Sequence, residues 1–532
     1  MHFKGYLMQI QPKSSELYDF DSRIDKTNAW LILLLLGAAT LIISFWGAFG
    51  LKRWGDDWTF VYWAFEAHQS GAAKHIFSRL SQHWSPLWHS VEVLNYAIAG
   101  WESDLFIRIV VIFFRILGLL ALILLARYFK LGLLATAIAV VVFVLHHAIA
   151  ATIFSIDAHA QCAADTLGWL GSFCFLRFSD ESKSLKSRWY LFSLILLIVA
   201  LLFKEQALAV AGIYVVFAVI RLWPQRKQRM FIRRLLFILA PILAVVLLFV
   251  VMRRISGIAF QLQGPYRIAP IYAPKNMAMI LLALASPART LEWFDAIRSD
   301  PVQIGRIFFF ATATLVLSAL VIAGFRFRHR TDKSEKNPNR YLLLMIAALA
   351  ISCYPVSIMA HVGEVHVSTS LIWFALIIAW SAQGWVKALR SRSTLIRTAV
   401  SILLLLYLTA LGAGQRANLQ EMHATGERAS IWLSRFREAL KDIPAGSRVG
   451  IQNHNPDRGD FDYGLYRSTT ARKLVLVGPD APMYATNRRL IIDHRHQPPH
   501  SKKNTSPPST SPGSRFYVLH IRGQEVELEP KQ

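Results

Sequence analysis

Two adjacent carboxylates, Asp56 and Asp57, stand shortly after the first long uncharged stretch of the sequence. That stretch covers residues 30–50, and a helix of this length, at about 1.5 Å per residue, reaches across a hydrocarbon core of ~30 Å. The pair is therefore predicted at a membrane face, where one carboxylate can take a proton from a hydroxyl while the other orients it or holds a cation. We favour Asp57 as the base. The competing interpretation is that the pair caps a helix beginning near Trp58.

A second charged group, Lys204 and Glu205, interrupts an apolar region. Residues 189–203 and 207–220 on either side are apolar, so charges between them are costly unless they are paired or functional. Lys204 can bind an anionic group while Glu205 positions it. Alternatively, the two residues form an ion pair that marks the tip of a helical hairpin.

The loops between other apolar segments supply further polar candidates. Arg267, with Arg253 and Arg254 near a span end, can bind a phosphate or anchor the chain at the membrane interface. His83 and Asp157 are candidates for contacts with an acceptor. No histidine pair has the helical spacing with an intervening Glu that marks zinc proteases, so no metal site is assigned, although the carboxylates leave room for a divalent cation.

The composition indicates a membrane protein. Hydrophobic residues make up 54% of the 532 residues and the mean hydropathy is +0.37, which is too apolar for a soluble protein that needs a polar surface. The net charge of +25 comes mainly from Lys and Arg clusters between apolar runs. This is the distribution of cytoplasmic loops and not that of a nucleic-acid-binding surface. All three cysteines lie in apolar segments, which argues against a disulfide framework.

The apolar segments predict an α-helical polytopic protein with about eleven transmembrane helices. The predicted spans are 30–50, 105–126, 131–148, 161–176, 189–204, 206–222, 235–252, 306–325, 341–360, 371–387 and 398–414. If the fifth and sixth spans form a hairpin, every dense basic cluster between spans falls on one side of the membrane. The N-terminus, with a tail of residues 1–28, is then cytoplasmic. The membrane domain is 29–414, and its first outer loop, 51–103, carries both aspartates.

The last part of the chain, residues 415–532, changes character. A helix containing Trp432 is followed by a stop signal at Pro444. Four short β-like runs come next, at 448–451, 473–477, 489–492 and 516–521. These features predict a small extracytoplasmic α/β domain. Residues 494–514 are rich in Pro, Ser, Lys and His and are predicted to form a flexible loop.

Short motifs give this chain a resemblance to a known superfamily. They are the acidic pair after the first span, the Pro-Leu in His83 to Leu87, the run Leu94 to Tyr96 followed by Gly100, and the segment Lys204 to Gln206. Together they resemble motifs of the GT-C glycosyltransferases, in particular the protein O-mannosyltransferases and related bacterial enzymes that use polyprenyl-phosphate sugars. The resemblance covers roughly residues 30–445. Ser85 stands where the family prefers Arg or Tyr.

The resemblance implies an inverting hexosyl- or pentosyltransferase of a bacterial inner membrane, with its site on the outer face. The donor would be a monosaccharide linked to polyprenyl phosphate, and the acceptor a hydroxyl of an envelope protein, lipid or glycan. Asp57 or Asp56 would activate the acceptor. The residues that would bind the donor phosphate are Lys204, Glu205 and Arg267.

Two other classes of membrane protein remain open at this point. One is a polymerase or ligase of the O-antigen type, which has many spans but usually depends on outer-loop arginines and histidines more than on an early pair of aspartates. The other is a transporter, which predicts charged residues in mid-span, inverted repeats or broken helices. In this sequence the carboxylates proposed for chemistry stand at predicted span ends, which favours the transferase.

Overall fold

The computed structural model describes most of the membrane region and three strands near the C-terminus. The described residues are 26–53, 57–71, 76–77, 83–100, 103–181, 187–228, 230–257, 267–287, 304–331, 338–359, 363–389, 392–440, 448–453, 516–522 and 525–531.

The described region consists mainly of helices. They are α1 (Lys26–Phe45), α2 (Asp57–Ser70), α3 (Pro86–Ala99), α4 (Leu105–Tyr128), α5 (Leu133–Leu145), α6 (His147–Phe154), α7 (His159–Glu181), α8 (Arg188–Phe203), α9 (Leu208–Leu222), α10 (Met230–Ile255), α11 (Ala273–Ala285), α12 (Ile304–Thr331), α13 (Pro338–Ser357), α14 (Glu364–Leu389) and α15 (Thr394–Leu440). Short 3-10 turns connect several of them, at Trp46–Gly50, Ile156–Ala158, Glu205–Ala207, Trp223–Gln225 and Pro270–Tyr272.

The chain is a multi-pass membrane protein. Among the described residues, 8 helices are long and apolar enough to cross a membrane, or up to 9 if a bent pair counts as one span. Helix α8 has 16 residues, which is shorter than a perpendicular span of ~20 residues. The predicted number of about eleven spans therefore stays a prediction.

Helices α8 and α9 fold back on each other. The hydroxyl of Tyr214 on α9 donates a hydrogen bond to the carbonyl of Ser193 on α8, at 3.2 Å. In one straight helix these residues would be about 31 Å apart at 1.5 Å per residue. The predicted hairpin is confirmed, and the turn that begins after Lys204 is its tip.

Two predicted spans differ from the structure. The third, 131–148, is broken into α5 and α6, which meet at an angle of 45°. His146 stands at the break, and its Nε2 lies 3.1 Å from the carbonyl oxygen of Leu284 on α11. The bend therefore coincides with a contact between this side chain and a neighbouring helix. The eleventh span and the separate helix expected around Trp432 are one continuous helix, α15, of 47 residues.

The C-terminal strands form one small sheet. β1 (Arg448–Asn453) pairs in parallel with β2 (Phe516–Arg522), and β2 pairs antiparallel with β3 (Glu525–Lys531). Two of the four predicted runs, 448–451 and 516–521, are therefore strands. The runs 473–477 and 489–492 and the predicted loop 494–514 lie outside the described residues. Whether 415–532 form a domain of their own stays a prediction, and β3 packs against α15.

Candidate active site

Asp57 begins helix α2 and its side chain is buried, with 1% of its surface exposed. The backbone N–H of Ile156 donates to its Oδ1 at 2.8 Å, and the hydroxyl of Ser155 lies 3.4 Å from the same oxygen. The turn between α6 and α7 therefore fixes the orientation of the Asp57 carboxylate. Asp157 belongs to this turn, although its side chain lies outside the described part of the structure. Asp56 lies outside it altogether.

A buried arginine stands close to Asp57. Arg108, in the first turn of α4, has 1% of its surface exposed, and its charge acts on that of Asp57. Its Nη1 donates to the carbonyl of Phe154 at 3.4 Å and its Nη2 to that of Leu51 at 3.5 Å. Arg108 thus links the segment before Asp57 to the turn that binds it, and its positive charge favours the ionised carboxylate.

A narrow crevice lies next to the turn that holds Asp57. Its volume of about 10 Å³ is room for about one water molecule. It lies between α2, α3, the start of α4 and the turn at Ile156, the residue that also binds Asp57. Its lining consists of Phe60, Val61, Ala64, Glu92, Asn95, Tyr96, Gly100, Asp104, Ile107 and Ile156. Aromatic and apolar surface therefore lies close to Asp57 together with carboxylate and amide oxygens.

One carboxylate of this crevice has an identified partner. Asp104 accepts two hydrogen bonds of 2.9 Å from Nε of Arg53, and the Arg53 and Asp104 side chains are 5% and 8% exposed. The pair ties the segment before Asp57 to the start of α4. Glu92 on α3 is 3% exposed and adds a second carboxyl group to the lining.

A second cluster surrounds the hairpin tip. Nδ1 of His83 lies 2.5 Å from Oε1 of Glu205, and Lys204 next to it is 8% exposed. The charge of Arg253, at the C-terminal end of α10, acts on Glu205. The rings of Trp84 and Phe249 pack at 5.5 Å, which brings this end of α10 against the first loop.

His89 on α3 lies between the two clusters. Its ring packs 4.5 Å from that of Trp63 on α2, and its Nδ1–H donates to the carbonyl of Ile76 at 3.2 Å. The pKa of His89 is lowered to about 4, mainly by burial and in smaller part by the nearby charges of Lys204 and His83. His89 is therefore a neutral contact between the helix of Asp57 and the cationic hairpin tip.

The architecture matches solved structures across almost the whole chain. Two structures of ArnT from Cupriavidus metallidurans, one bound to undecaprenyl phosphate and one in the apo state, give a TM-score of 0.51 at 13% sequence identity. The match covers 94% and 95% of this chain, respectively, and 98% of ArnT. The chain has the GT-C fold. The fold expected from the motif resemblance is confirmed.

A more distant similarity is to the oligosaccharyltransferase of Archaeoglobus fulgidus in its apo form. It has 12% identity and a TM-score of 0.47, over 82% of this chain and 63% of the archaeal one. No family model matches the sequence, and no curated protein matches it either.

The GT-C fold brings together some of the predicted site residues and leaves others apart. His83 lies with Lys204 and Glu205 at the hairpin tip, and its contact with an acceptor stays a prediction. Arg267 is exposed, and the residue after it, Ile268, forms a β-bridge with Met359. No contact within the described residues joins Arg267 to the hairpin tip. In the same residues, no three His, Cys, Asp or Glu side chains come together to bind a metal.

Three residues of the site were missed by sequence reasoning: Arg108, His89 and Glu92. His89 and Glu92 are three positions apart on α3 and both are buried, so helical periodicity starting at Pro86 would have placed them on one face. Arg108 stands near the start of a predicted span, where a charge is costly. That position was the available signal for Arg108.

Proposed function

We propose that this chain transfers a monosaccharide from a polyprenyl-phosphate donor to a hydroxyl group of a cell-envelope acceptor, with inversion at the sugar. The observation that carries the proposal is the juxtaposition of a buried carboxylate, Asp57, with a cationic cluster around Lys204 on opposite sides of α3. The GT-C fold supports it, because this fold is shared with ArnT, whose structure was determined with undecaprenyl phosphate bound.

Asp57 is proposed as the general base. As the acceptor oxygen attacks the anomeric carbon, its hydrogen passes to the Asp57 carboxylate, which is held in place by the N–H of Ile156. The charge of the Arg108 guanidinium acts on this carboxylate, and a neighbouring positive charge favours its ionised form. The crevice lined by Glu92, Asn95 and Tyr96 marks the proposed side of the acceptor hydroxyl, since Ile156 both lines this crevice and binds Asp57.

Lys204 and Arg253 are proposed to stabilise the leaving lipid phosphate. When the bond between the anomeric carbon and the phosphate oxygen breaks, that oxygen keeps the electron pair, and positive side chains in a poorly solvated site stabilise the charge. Glu205 holds His83 and lies beside Lys204, so it fixes the geometry of the cluster. Single displacement from the face opposite the phosphate gives inversion.

The remaining residue roles in the proposal rest on the resemblance to the GT-C glycosyltransferases. Arg267 would bind the phosphate after movement of its loop, Asp56 would assist Asp57, and Asp157 would contact the acceptor. A divalent cation would have to be supplied by solvent and held by the carboxylates of the first loop. The enzyme would lie in a bacterial inner membrane with Asp57 at the periplasmic end.

The test is sugar transfer by the purified protein in detergent. The donor is a radiolabelled polyprenyl-phosphate sugar, the acceptor a mixed envelope extract, and the variants are Asp57→Asn and Asp56→Asn. We expect Asp57→Asn to lose transfer by roughly 10²-fold or more while it still binds the donor, and Asp56→Asn to retain most of it. A parallel reaction with EDTA reports whether a divalent cation takes part.

Two results would contradict the proposal. Unchanged transfer in Asp57→Asn would remove the assignment of the base. Failure of the wild type to bind any polyprenyl-phosphate donor would favour a ligase, a polymerase or a transporter over the proposed transferase.

A further inference from the structure

Three basic residues from different segments lie at the end of the bundle opposite Asp57. Helix α4 begins beside the crevice and reaches Tyr128 after 24 residues, about 36 Å further on at 1.5 Å per residue. Lys130 follows it. Helix α9 begins at the hairpin tip and ends beyond Arg221, and Arg340 lies in the first turn of α13. We call Lys130, Arg221 and Arg340 the basic triad.

A direct contact joins the two arginines of the basic triad, and tyrosines link them to Lys130. Nη2 of Arg340 donates to the carbonyl of Arg221 at 3.1 Å, and Nη2 of Arg221 donates to the hydroxyl of Tyr128 at 2.9 Å. Nζ of Lys130 lies 6.0 Å from the centre of the Tyr341 ring. The charges of Arg221 and Arg340 act on each other, and like charges at such a distance repel.

Ordinary features of helix ends do not account for Arg340. A helix C-terminus favours a nearby cation, which explains Arg221, but the N-terminus of α13 carries the positive end of the helix dipole and disfavours Arg340 there. Its Nε is buried and has no hydrogen-bond partner among the described residues. An anion bound between the guanidinium groups would remove both costs at once.

Lys130 belongs to the C-terminal cap of α4. Its φ is 54°, and the N–H groups of Lys130 and Leu131 donate to the carbonyls of Arg127 and Ala126 at 3.0 and 2.9 Å. Helices commonly end with one residue in this left-handed conformation, which is usually glycine. The cap therefore accounts for the backbone of Lys130, and only its side chain is relevant to an anion site.

Aromatic rings pack beside the triad. The Tyr341 ring packs 6.2 Å from Tyr128, 5.8 Å from Phe129 and 6.4 Å from Trp380. Phe129 and Trp380 are buried, whereas Tyr128 and Tyr341 are partly exposed, as tyrosines at the level of lipid headgroups are. Arg226, by contrast, stacks on Trp223 of its own segment at 5.0 Å.

We propose that the basic triad binds the phosphate of an anionic membrane glycerophospholipid, with Tyr128 and Tyr341 beside the headgroup. Basic pockets between spans are known to suit such headgroups. The site is separate from the proposed donor site, which lies at the other end of α4 and α9.

Native mass spectrometry of the delipidated full chain tests this proposal. Phosphatidylglycerol is titrated against wild type, Arg340→Gln, Lys130→Gln and the matched control Arg226→Gln, with phosphatidylcholine as the neutral lipid. We expect one saturable phosphatidylglycerol site in wild type and in Arg226→Gln, with binding roughly tenfold weaker in Arg340→Gln and Lys130→Gln. Arg340→Lys, which keeps the charge but loses the planar fork, should fall between them.

Monodispersity and the melting temperature without lipid establish that each variant is folded, and Lys130→Gln provides a second variant at an exposed position. Equal binding of phosphatidylglycerol by Arg340→Gln and Arg226→Gln would overturn the proposal. So would equal binding of phosphatidylcholine by the wild type. If inorganic phosphate raises the melting temperature as much as phosphatidylglycerol does, the triad binds free anions and the lipid assignment is wrong.

Discussion

Nδ1 of His83 and Oε1 of Glu205 lie 2.5 Å apart although 122 residues separate them along the chain. The contact joins the first loop to the tip of the hairpin formed by α8 and α9. Both side chains are largely shielded, with 24% and 16% of their surfaces exposed. An interaction shielded in this way is stronger than one on the open surface, where ion pairs contribute little. The pair therefore couples the first loop, which carries Asp57, to the hairpin tip that we assign to donor binding.

A double-mutant cycle measures this coupling. We expect His83→Gln and Glu205→Gln each to weaken donor binding. The double variant should bind the donor little more weakly than the single variant with the larger loss. The two losses in binding free energy should therefore depart from additivity by roughly 1 kcal/mol. The matched control is Lys52 with Glu427, which also forms an ion pair across the chain but is 47% and 51% exposed. That pair should give additive effects. Additivity at His83 and Glu205 would show that the contact does not matter for the donor.

Lys204 is expected to act on the donor and not on the acceptor. Substitution Lys204→Gln removes a positive charge from a shielded site, so the KM for the donor should rise roughly tenfold or more while the KM for the acceptor changes little. Lys204→Arg should recover part of the loss. The control is Lys227→Gln, an exposed lysine at the other end of α9. The measurement is steady-state kinetics with each substrate varied in turn. The same KM for the donor in Lys204→Gln and Lys227→Gln would refute the assignment.

His89 predicts a loss of stability in acid. Its pKa is lowered to about 4 in the folded protein, against about 6.5 in the unfolded chain. Between pH 6.5 and pH 4 the unfolded state therefore binds a proton at His89 that the folded state does not bind. This contribution to stability is intact above pH 6.5 and is lost between pH 6.5 and pH 4, by up to roughly 3 kcal/mol.

Thermal unfolding in detergent at pH 7.5 and pH 4.5 checks this prediction. The melting temperature of His89→Gln, which cannot gain a charge, should fall less between pH 7.5 and pH 4.5 than that of the wild type. Both proteins carry the same other ionisable side chains, so the difference between them reports on His89. An identical decrease in both proteins would rule out the buried neutral state of His89.

Helices α12 and α14 are expected to tolerate no side chain at Gly324. A Cβ there would lie 2.5 Å from the carbonyl oxygen of Ser381, a backbone atom that cannot rotate away, so Gly324→Ala should destabilise the protein by ~1–3 kcal/mol. At Gly412 on α15 a Cβ would meet only a Leu145 methyl group, at 3.8 Å. Gly412→Ala should be neutral or stabilising by up to ~1 kcal/mol because alanine favours the helix. Melting temperatures of the two variants should move apart, and a shift of the same sign and size in both would contradict the close packing.

Several features of this protein can be predicted from short stretches of its sequence alone. Apolar runs of span length predicted a multi-pass membrane protein, since the energy of burying a segment in lipid depends on that segment alone. The positions of the basic clusters predicted the hairpin around Lys204, because such clusters between spans remain on the cytoplasmic side. The sequence also indicated that Asp57 stands where the chain leaves the first span.

Long-range packing decided the rest. The sequence does not show that Glu205 binds His83, that Ile156 binds Asp57, or that α3 places His89 between them, because each contact depends on how helices far apart in the chain pack together. The continuity of α15 through the membrane and beyond it was missed for a related reason: its polar second half reads as a separate element until its packing is known. Sequence thus determined which residues stand at the ends of the spans, and only the tertiary structure decided which of those ends meet.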